Sequence, residues 1–379
     1  MQANNKYDIA VVGGGLAGLC LAIQSAKKGY RVILFEKEKY PFHKVCGEYI
    51  SLESWSFLER LGVPLSMWDL PIISVLETTD VAGSAATFAL PLGGFGVSRY
   101  KLDHFLYKLA LQHGVEVFTQ TKVNEVLFEN DVYTIECGTG QYLARVVAGA
   151  YGKRSNLDIK WNRDFVDARQ KGLNNYIGVK YHIRYNNAAN TIALHNFYNG
   201  YCGISKIEND ISCLCYLTTG GNLSANNYSL AEMEKNVLSR NPHLKKIFNE
   251  AMFLYDRPLT ISQVSFSNKT QAEKGVLMLG DASGLITPLC GNGMSMAMHA
   301  SKIAMQSINA YLNNSLNRAQ MEIDYTNKWN KVFARRLWVG RKVQQFFGGN
   351  NTTRYFLKAM KTFPYLAKNL IKATHGQPF

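Results

Sequence analysis

The stretch Tyr7–Glu36, YDIAVVGGGLAGLCLAIQSAKKGYRVILFE, constrains this chain more than any other. A short apolar run, Ile9 to Val12, leads into Gly13, Gly15 and Gly18 at G-x-G-x-x-G spacing. An apolar-periodic segment from Leu16 to Ala26 follows, Gly29 closes it, and a second apolar run, Val32 to Phe35, ends in Glu36. Strand, tight turn, helix, strand and then an acid about 20 residues beyond the glycines is the βαβ pattern of a dinucleotide site. Gly13 makes the turn, Gly15 lets a pyrophosphate approach the backbone, and Gly18 lets the helix pack on its strand. The helix start at Leu16 and Ala17 offers unpaired N–H groups and a positive dipole end to phosphate. Glu36, with Lys37 beside it, is placed to accept hydrogen bonds from ribose hydroxyls. The stretch alone does not name the dinucleotide.

The rest of the chain is long enough for a large core and for more than one domain: 379 residues, 47% hydrophobic and 18% charged. Its polar start predicts no secretory leader. No apolar run approaches the length of a membrane span. The seven cysteines are scattered, with no CxxC pair, which predicts reduced thiols in a cytoplasmic protein and no metal site. Net charge is +14, and it belongs to the tail. From Tyr325 to Phe379 there are 11 Lys/Arg and no Asp or Glu.

Alternation and helical periodicity predict an α/β chain that leaves its nucleotide-binding fold and returns to it. Residues 1–71, 99–172 and 269–312 form one discontinuous Rossmann-type domain. Residues 72–98 and 173–268 form a mixed β-sheet substrate domain. Residues 313–379 form a basic helical C-terminal region. Within 269–312, the strand-like GVLMLG run delivers Asp281 next to Gly280, and Pro288 breaks the chain before a helix. Gly291, Asn292, Gly293 and Met294 then offer backbone N–H groups at that helix start.

With these motifs in hand the chain resembles the FAD-dependent oxidoreductase family of aromatic (para-hydroxybenzoate hydroxylase-like) monooxygenases, halogenases and geranylgeranyl reductases. The resemblance rests on GGGLAG with Glu36, on RYKLDHFL at 99–106, on GAYGKRS at 149–155 and on GDASGLITPLCGNGM at 280–294. It implies FAD as cofactor and NAD(P)H as a transient reductant without a Rossmann domain of its own. Arg99 would then sit by the FAD phosphates or ribityl chain, and Val123 would meet the adenine through its backbone. Asp281 would hold the ribityl or pyrophosphate, and Gly291–Met294 would face the flavin ring. The middle motif departs from the family, with Tyr151 where an acid is usual.

The PFHKVCGE segment at 41–48 resembles the flavin-approaching loop of the reductases, so Lys44, Cys46 and Gly47 join the cofactor set. Cys46, beside a cationic Lys44, is the candidate catalytic proton donor through an accessible thiolate state. Phe197 and Tyr201 are candidate walls of the substrate pocket. The resemblance implies monooxygenation of an aromatic, polyketide-like or other lipophilic substrate through a flavin C4a-hydroperoxide. The alternative is reduction of C=C bonds in a prenyl or polyene chain. A halogenase is a third reading, since the W-x-W-x-I-P pattern is absent. The basic tail is read as a helical cap, or as an attachment to an anionic membrane surface or an acidic carrier protein. It has no nucleic-acid-binding module.

Overall fold

A computed structural model describes residues 5–167, 176–264, 266–287, 289 and 291–379. Two sheets organise it. The first runs Ala272–Glu273, Val276–Met278, Gly140–Gly149, Lys6–Val12, Val32–Phe35, Glu116–Phe118. All neighbours after the first pair are parallel. The hairpin Val123–Glu129/Val132–Cys137 extends it antiparallel along Gly140–Gly149. Val12 lies opposite both Phe35 and Gly149, and Gly149 lies opposite Met278. Four strands therefore end on one line. The turns that follow them, at Gly13, Glu36, Ala150 and Gly280, share one edge, where ligands bind in open α/β sheets.

The second sheet is mixed and larger. Its order is Met252–Phe253, Tyr176–Arg184, Ser212–Thr219, Gly200–Lys206, Thr191–Phe197, Ile72–Thr79, Ala85–Gly96, Tyr49–Ser51, with Leu259–Val264 also pairing Tyr176–Arg184. Thr191–Phe197 runs parallel to Ile72–Thr79, which joins the 72–98 excursion to the later strands in one sheet. The short strand Tyr49–Ser51 was expected to be loop. Three residues are too few to show alternation, and its pairing with Gly94–Gly96 is non-local.

The first helix, Leu16–Lys27, is apolar on nearly every side because it is sandwiched between the first sheet and the helix Gly293–Leu312. Met298, Ala304 and Ile308 of the latter are fully covered. Each large aliphatic side chain buried in this way contributes roughly 1.5–3 kcal/mol. The C-terminal region is three helices, Arg318–Gln344, Asn350–Thr362 and Pro364–Thr374. Asn317 opens the first of them with a capping box to Gln320. Arg336 on the same helix pairs with buried Glu53 at 2.5 Å, anchoring the tail to the nucleotide-binding side. Among the described residues no helix is long and apolar enough to cross a membrane.

Candidate functional site

The glycine turn divides its labour as the sequence predicts. Gly13 has φ +108, and a side chain there would strike the Ala150 carbonyl. A Cβ at Gly18 would collide with the Gly13 carbonyl, so this glycine is needed for helix–strand packing. Gly15 is different: its φ is −79, and an added Cβ would meet nothing closer than Lys44 Nζ at 3.7 Å and Arg99 Nη2 at 3.9 Å. The helix that starts at Leu16 and Ala17 has no side-chain cap, so its first N–H groups face this open, cation-flanked space.

Both cations are held in place. Arg99 makes a bidentate pair with Asp103, with both N···O distances 2.7 Å, and Lys44 reaches the same carboxylate at 3.3 Å. Two positive charges against one negative leave a net charge of +1 beside the helix start, an anion cradle. The helix Arg99–Gln112 begins here because Ser98 caps it, its Oγ accepting from Lys101 N at 3.1 Å. Glu36 is buried at the end of Val32–Phe35 and accepts from Gly14 N at 2.8 Å and Glu38 N at 3.0 Å. Each of its oxygens keeps a second lone pair for a ribose hydroxyl. Lys37 projects into solvent. Val123 is buried two residues beyond Thr121, whose N–H donates to the Glu36 carbonyl. That places it on the ribose side of the cradle.

At the other end of the edge, Gly280–Ala282 forms a single turn after Val276–Met278. Burial pushes the Asp281 carboxyl up, while Lys269, Arg99, Lys153 and Lys44 pull against it. Asp281 is therefore within electrostatic reach of the two cradle cations. A crevice of roughly 240 Å³ is lined by Gly280, Asp281, Gly293 and Met296, among others. Gly291 has φ +66 and packs against the Tyr49 ring. Asn292 opens the helix Gly293–Leu312 without capping it. Its Oδ1 is buried with no hydrogen-bond partner among the described residues. An uncapped 20-residue helix start, with Met294 in its first turn, favours negative charge in front of it. Pro288 lies outside the described residues. An open glycine cradle flanked by two cations, an acid at the ribose position and an orphaned acceptor beside an uncapped helix fit FAD. When bound, FAD supplies the redox chemistry.

Between these two ends runs the 41–48 loop, and the structure corrects the expectation for Cys46. Burial raises its thiol pKa, outweighing the opposing pull of Arg99. Lys44, the cation expected to favour a thiolate, is turned to Asp103 and to the Phe42 ring. Cys46 is thus a protonated thiol, lying 3.6 Å from Met294 Sδ. Nothing lies within 4 Å of a Cβ built on Gly47, so the backbone there faces open space.

Sequence reasoning missed what holds this loop. Glu48 is completely buried at φ +56, a conformation that few non-glycine residues adopt. Its carboxylate lies 2.5 Å from Lys180 Nζ and 2.6 Å from His182 Nε2, and accepts from Arg99 N at 2.8 Å. Burial alone would raise its pKa, but the His182 hydrogen bond and the Lys180 charge bring it down to about 2. Lys180 also donates to the Lys44 carbonyl, and Cys213 to the Cys46 carbonyl. The chain of contacts continues from His182 Nδ1 through the Tyr255 hydroxyl, at 2.6 Å, to His43. The only trace in the sequence is Lys180 and His182 on one face of the otherwise apolar run YIGVKYHIRY.

A second cavity, of roughly 780 Å³ and almost wholly apolar, adjoins Gly291 and Tyr49. Its floor is the second sheet, through Leu76, Leu90, Ile192 and Leu194. Its roof is the tail, through Phe356, Leu357 and Ile371. Neither expected pocket wall lines it. Phe197 points to the opposite face of its strand and is fully buried with Tyr216 and Met233. Ile192 and Leu194 alternate with Phe197 and take the cavity face instead. Tyr201 is buried with Leu194 and Leu217 on the cavity side, one layer away. Tyr151 hydrogen-bonds Asp158 at 2.9 Å behind the glycine turn, in a buried group with Arg163. The acid expected at position 151 is thus replaced by a phenol paired to an acid seven residues on.

Comparison with known proteins agrees with this geometry. A family model described as FAD binding domain matches residues 8–43. A second, described as squalene epoxidase, matches 204–332. The chain is 24% identical over 355 residues to conditioned medium factor receptor 1 of Dictyostelium discoideum, covering 86% of this chain and 68% of that protein. It superposes on a flavin-dependent brominase with a TM-score of 0.76 at 19% identity, over 97% of this chain and 93% of the other. For a probable FAD-dependent monooxygenase from Pseudomonas aeruginosa the TM-score is 0.72 at 15% identity, over 92% and 98%. With this fold, and with an FAD-binding segment at its head, the chain belongs to the FAD-dependent oxidoreductase family that joins monooxygenases, halogenases and geranylgeranyl reductases.

Proposed function

We propose that the chain is an NAD(P)H-dependent flavin monooxygenase that transfers an oxygen atom from O2 to a lipophilic substrate. The observation that carries this reading is the apolar cavity of roughly 780 Å³ whose wall includes Gly291 of the flavin motif. Such a space excludes water from the reacting end of the cofactor and binds substrate by burial of apolar surface. The match of 204–332 to a squalene epoxidase model supports oxygen chemistry on a hydrocarbon-like substrate. This chain's own residues supply position and electrostatics. Gly15, Lys44 and Arg99 hold the phosphates, Glu36 the ribose and Asp281 the ribityl region. The uncapped helix start at Asn292–Met294 stabilises negative charge on the reduced ring. NAD(P)H is the electron source and docks from outside the described core.

A second reading, reduction of a C=C bond in a prenyl or polyene chain, is favoured by one observation. Burial keeps Cys46 protonated, and a neutral thiol beside Met294 is a proton donor. The two readings separate in one assay: turnover of lipophilic aromatics and polyprenyl chains by FAD-loaded protein and NADPH, with and without O2. Oxygenated product formed only with O2 supports the first; saturated product formed without O2 replaces it with the second. Halogenated product formed in the presence of bromide would replace both. Ile192→Trp, which fills the cavity from its floor, should raise KM for the lipophilic substrate by about tenfold or more while FAD binding is unchanged.

A further inference from the structure

The cavity's roof has a second face. Phe356, Leu357, Met360, Leu370 and Ile371 of the helices Asn350–Thr362 and Pro364–Thr374 line the cavity from above. Turned away from it are Arg354, Lys358, Lys361, Lys368 and Lys372, all exposed. None of the five has an ion-pair partner among the described residues, and positions 325–379 contain no acid to provide one. At the bend between the helices the aromatic side chains are in solvent too: Phe363 is 56% exposed and Tyr365 74%, with Leu366 alongside. Large apolar side chains left exposed at a helix–helix corner, ringed by unpaired bases, have no stabilising role in the isolated fold.

We propose that this corner docks on an anionic lipid bilayer, with Phe363, Tyr365 and Leu366 entering the headgroup layer and the five bases facing lipid phosphates and carboxylates. Aromatic rings settle at the lipid–water interface, and each Lys or Arg near an anionic surface adds about 1 kcal/mol of attraction. The same two helices would then stand between the bilayer and the apolar cavity, a short path for a substrate that partitions into lipid. This last step rests on the lipophilic-substrate reading; the docking does not.

The test is co-sedimentation of the full-length, FAD-loaded protein with vesicles. One set is phosphatidylcholine alone and the other phosphatidylcholine with phosphatidylserine. Binding should be at least about tenfold stronger on the anionic set and should fall when salt is raised well above physiological strength. The variant Lys358→Glu/Lys361→Glu/Lys368→Glu/Lys372→Glu should lose the anionic preference. Phe363→Ser/Tyr365→Ser should weaken binding while keeping its salt dependence. Both sets of positions are exposed, so circular dichroism and FAD content should match the parent protein. Equal binding to both vesicle types, or no effect of either variant, would overturn the proposal. So would binding to polyglutamate without binding to vesicles, which assigns the patch to an acidic protein instead. A vesicle-binding protein that fails to turn over any lipophilic substrate would retain the docking surface and overturn the substrate reading alone.

Discussion

Asn292 Nδ2 donates to the Thr374 carbonyl at 2.5 Å, spanning 82 residues of sequence. One end of this bond is the residue that starts the flavin-facing helix; the other is the end of the last helix, over the apolar cavity. The basic tail is therefore part of the site's wall. Asn292→Ala should cost about 1 kcal/mol, the net value of a buried hydrogen bond. It should also make the 350–374 segment more sensitive to protease than the remainder of the chain. Denaturant titration and limited proteolysis measure the two effects. Unchanged cleavage of the tail would mean that the bond does not hold the roof.

The glycines at 15 and 18 should separate binding from folding. Gly15→Ala adds a methyl into open space at an ordinary φ, so the fold should be kept. FAD affinity should fall by at least about tenfold, because the methyl occupies the phosphate approach. Gly18→Ala places its methyl against the Gly13 carbonyl and should destabilise the apoprotein by about 1–3 kcal/mol. FAD titration by fluorescence and thermal denaturation of both apo-variants measure the difference. Equal FAD affinity for Gly15→Ala and parent would argue that phosphate does not bind here.

Removing the Glu48 charge should be costly. Glu48→Gln leaves Lys180 buried without its counter-ion, a situation that typically costs 3–5 kcal/mol. Glu48→Leu/Lys180→Met should recover part of that loss. The pH dependence follows from the lowered pKa. A carboxyl held at about 2, against a reference of 4.5, contributes stability that is complete above pH 4.5 and disappears as pH falls toward 2. Acid unfolding of Glu48→Gln should lack that increment over the same window. A parent and variant with equal stability at neutral pH would contradict the ion pair.

Cys46 should be slow to alkylate at neutral pH, since burial holds it as a thiol. Its labelling rate should rise only at pH well above that of a free cysteine. Cys46→Ala should leave oxygen transfer within about twofold and abolish any C=C reduction. Rapid labelling at neutral pH would restore the thiolate picture.

The nucleotide fold was legible because its signals are local. The strand Ile9–Val12, the glycines and the run Val32–Phe35 each follow a period or a turn rule within a few residues. The Asp281 and Gly291–Met294 motif was legible for the same reason. What escaped depends on long-range packing. Lys180 and His182 read as polar residues of a half-exposed strand, and only the fold brings Glu48 between them, more than 130 residues away in sequence. Phe197 was assigned to the pocket from its place in an aromatic run. Alternation fixes which residues share a face but not which face meets the cavity, and the tail decides that by roofing Ile192 and Leu194. The same distance effect hid the second face of the tail helices.

The most direct test of the account is a single turnover in isotopically heavy O2. FAD-loaded protein, reduced by NADPH, is mixed with a lipophilic acceptor that binds the apolar cavity, and the product is examined by mass spectrometry. The account predicts one labelled oxygen atom in the product, with little product from Ile192→Trp. Product carrying no label, or formed equally well without O2, would contradict it.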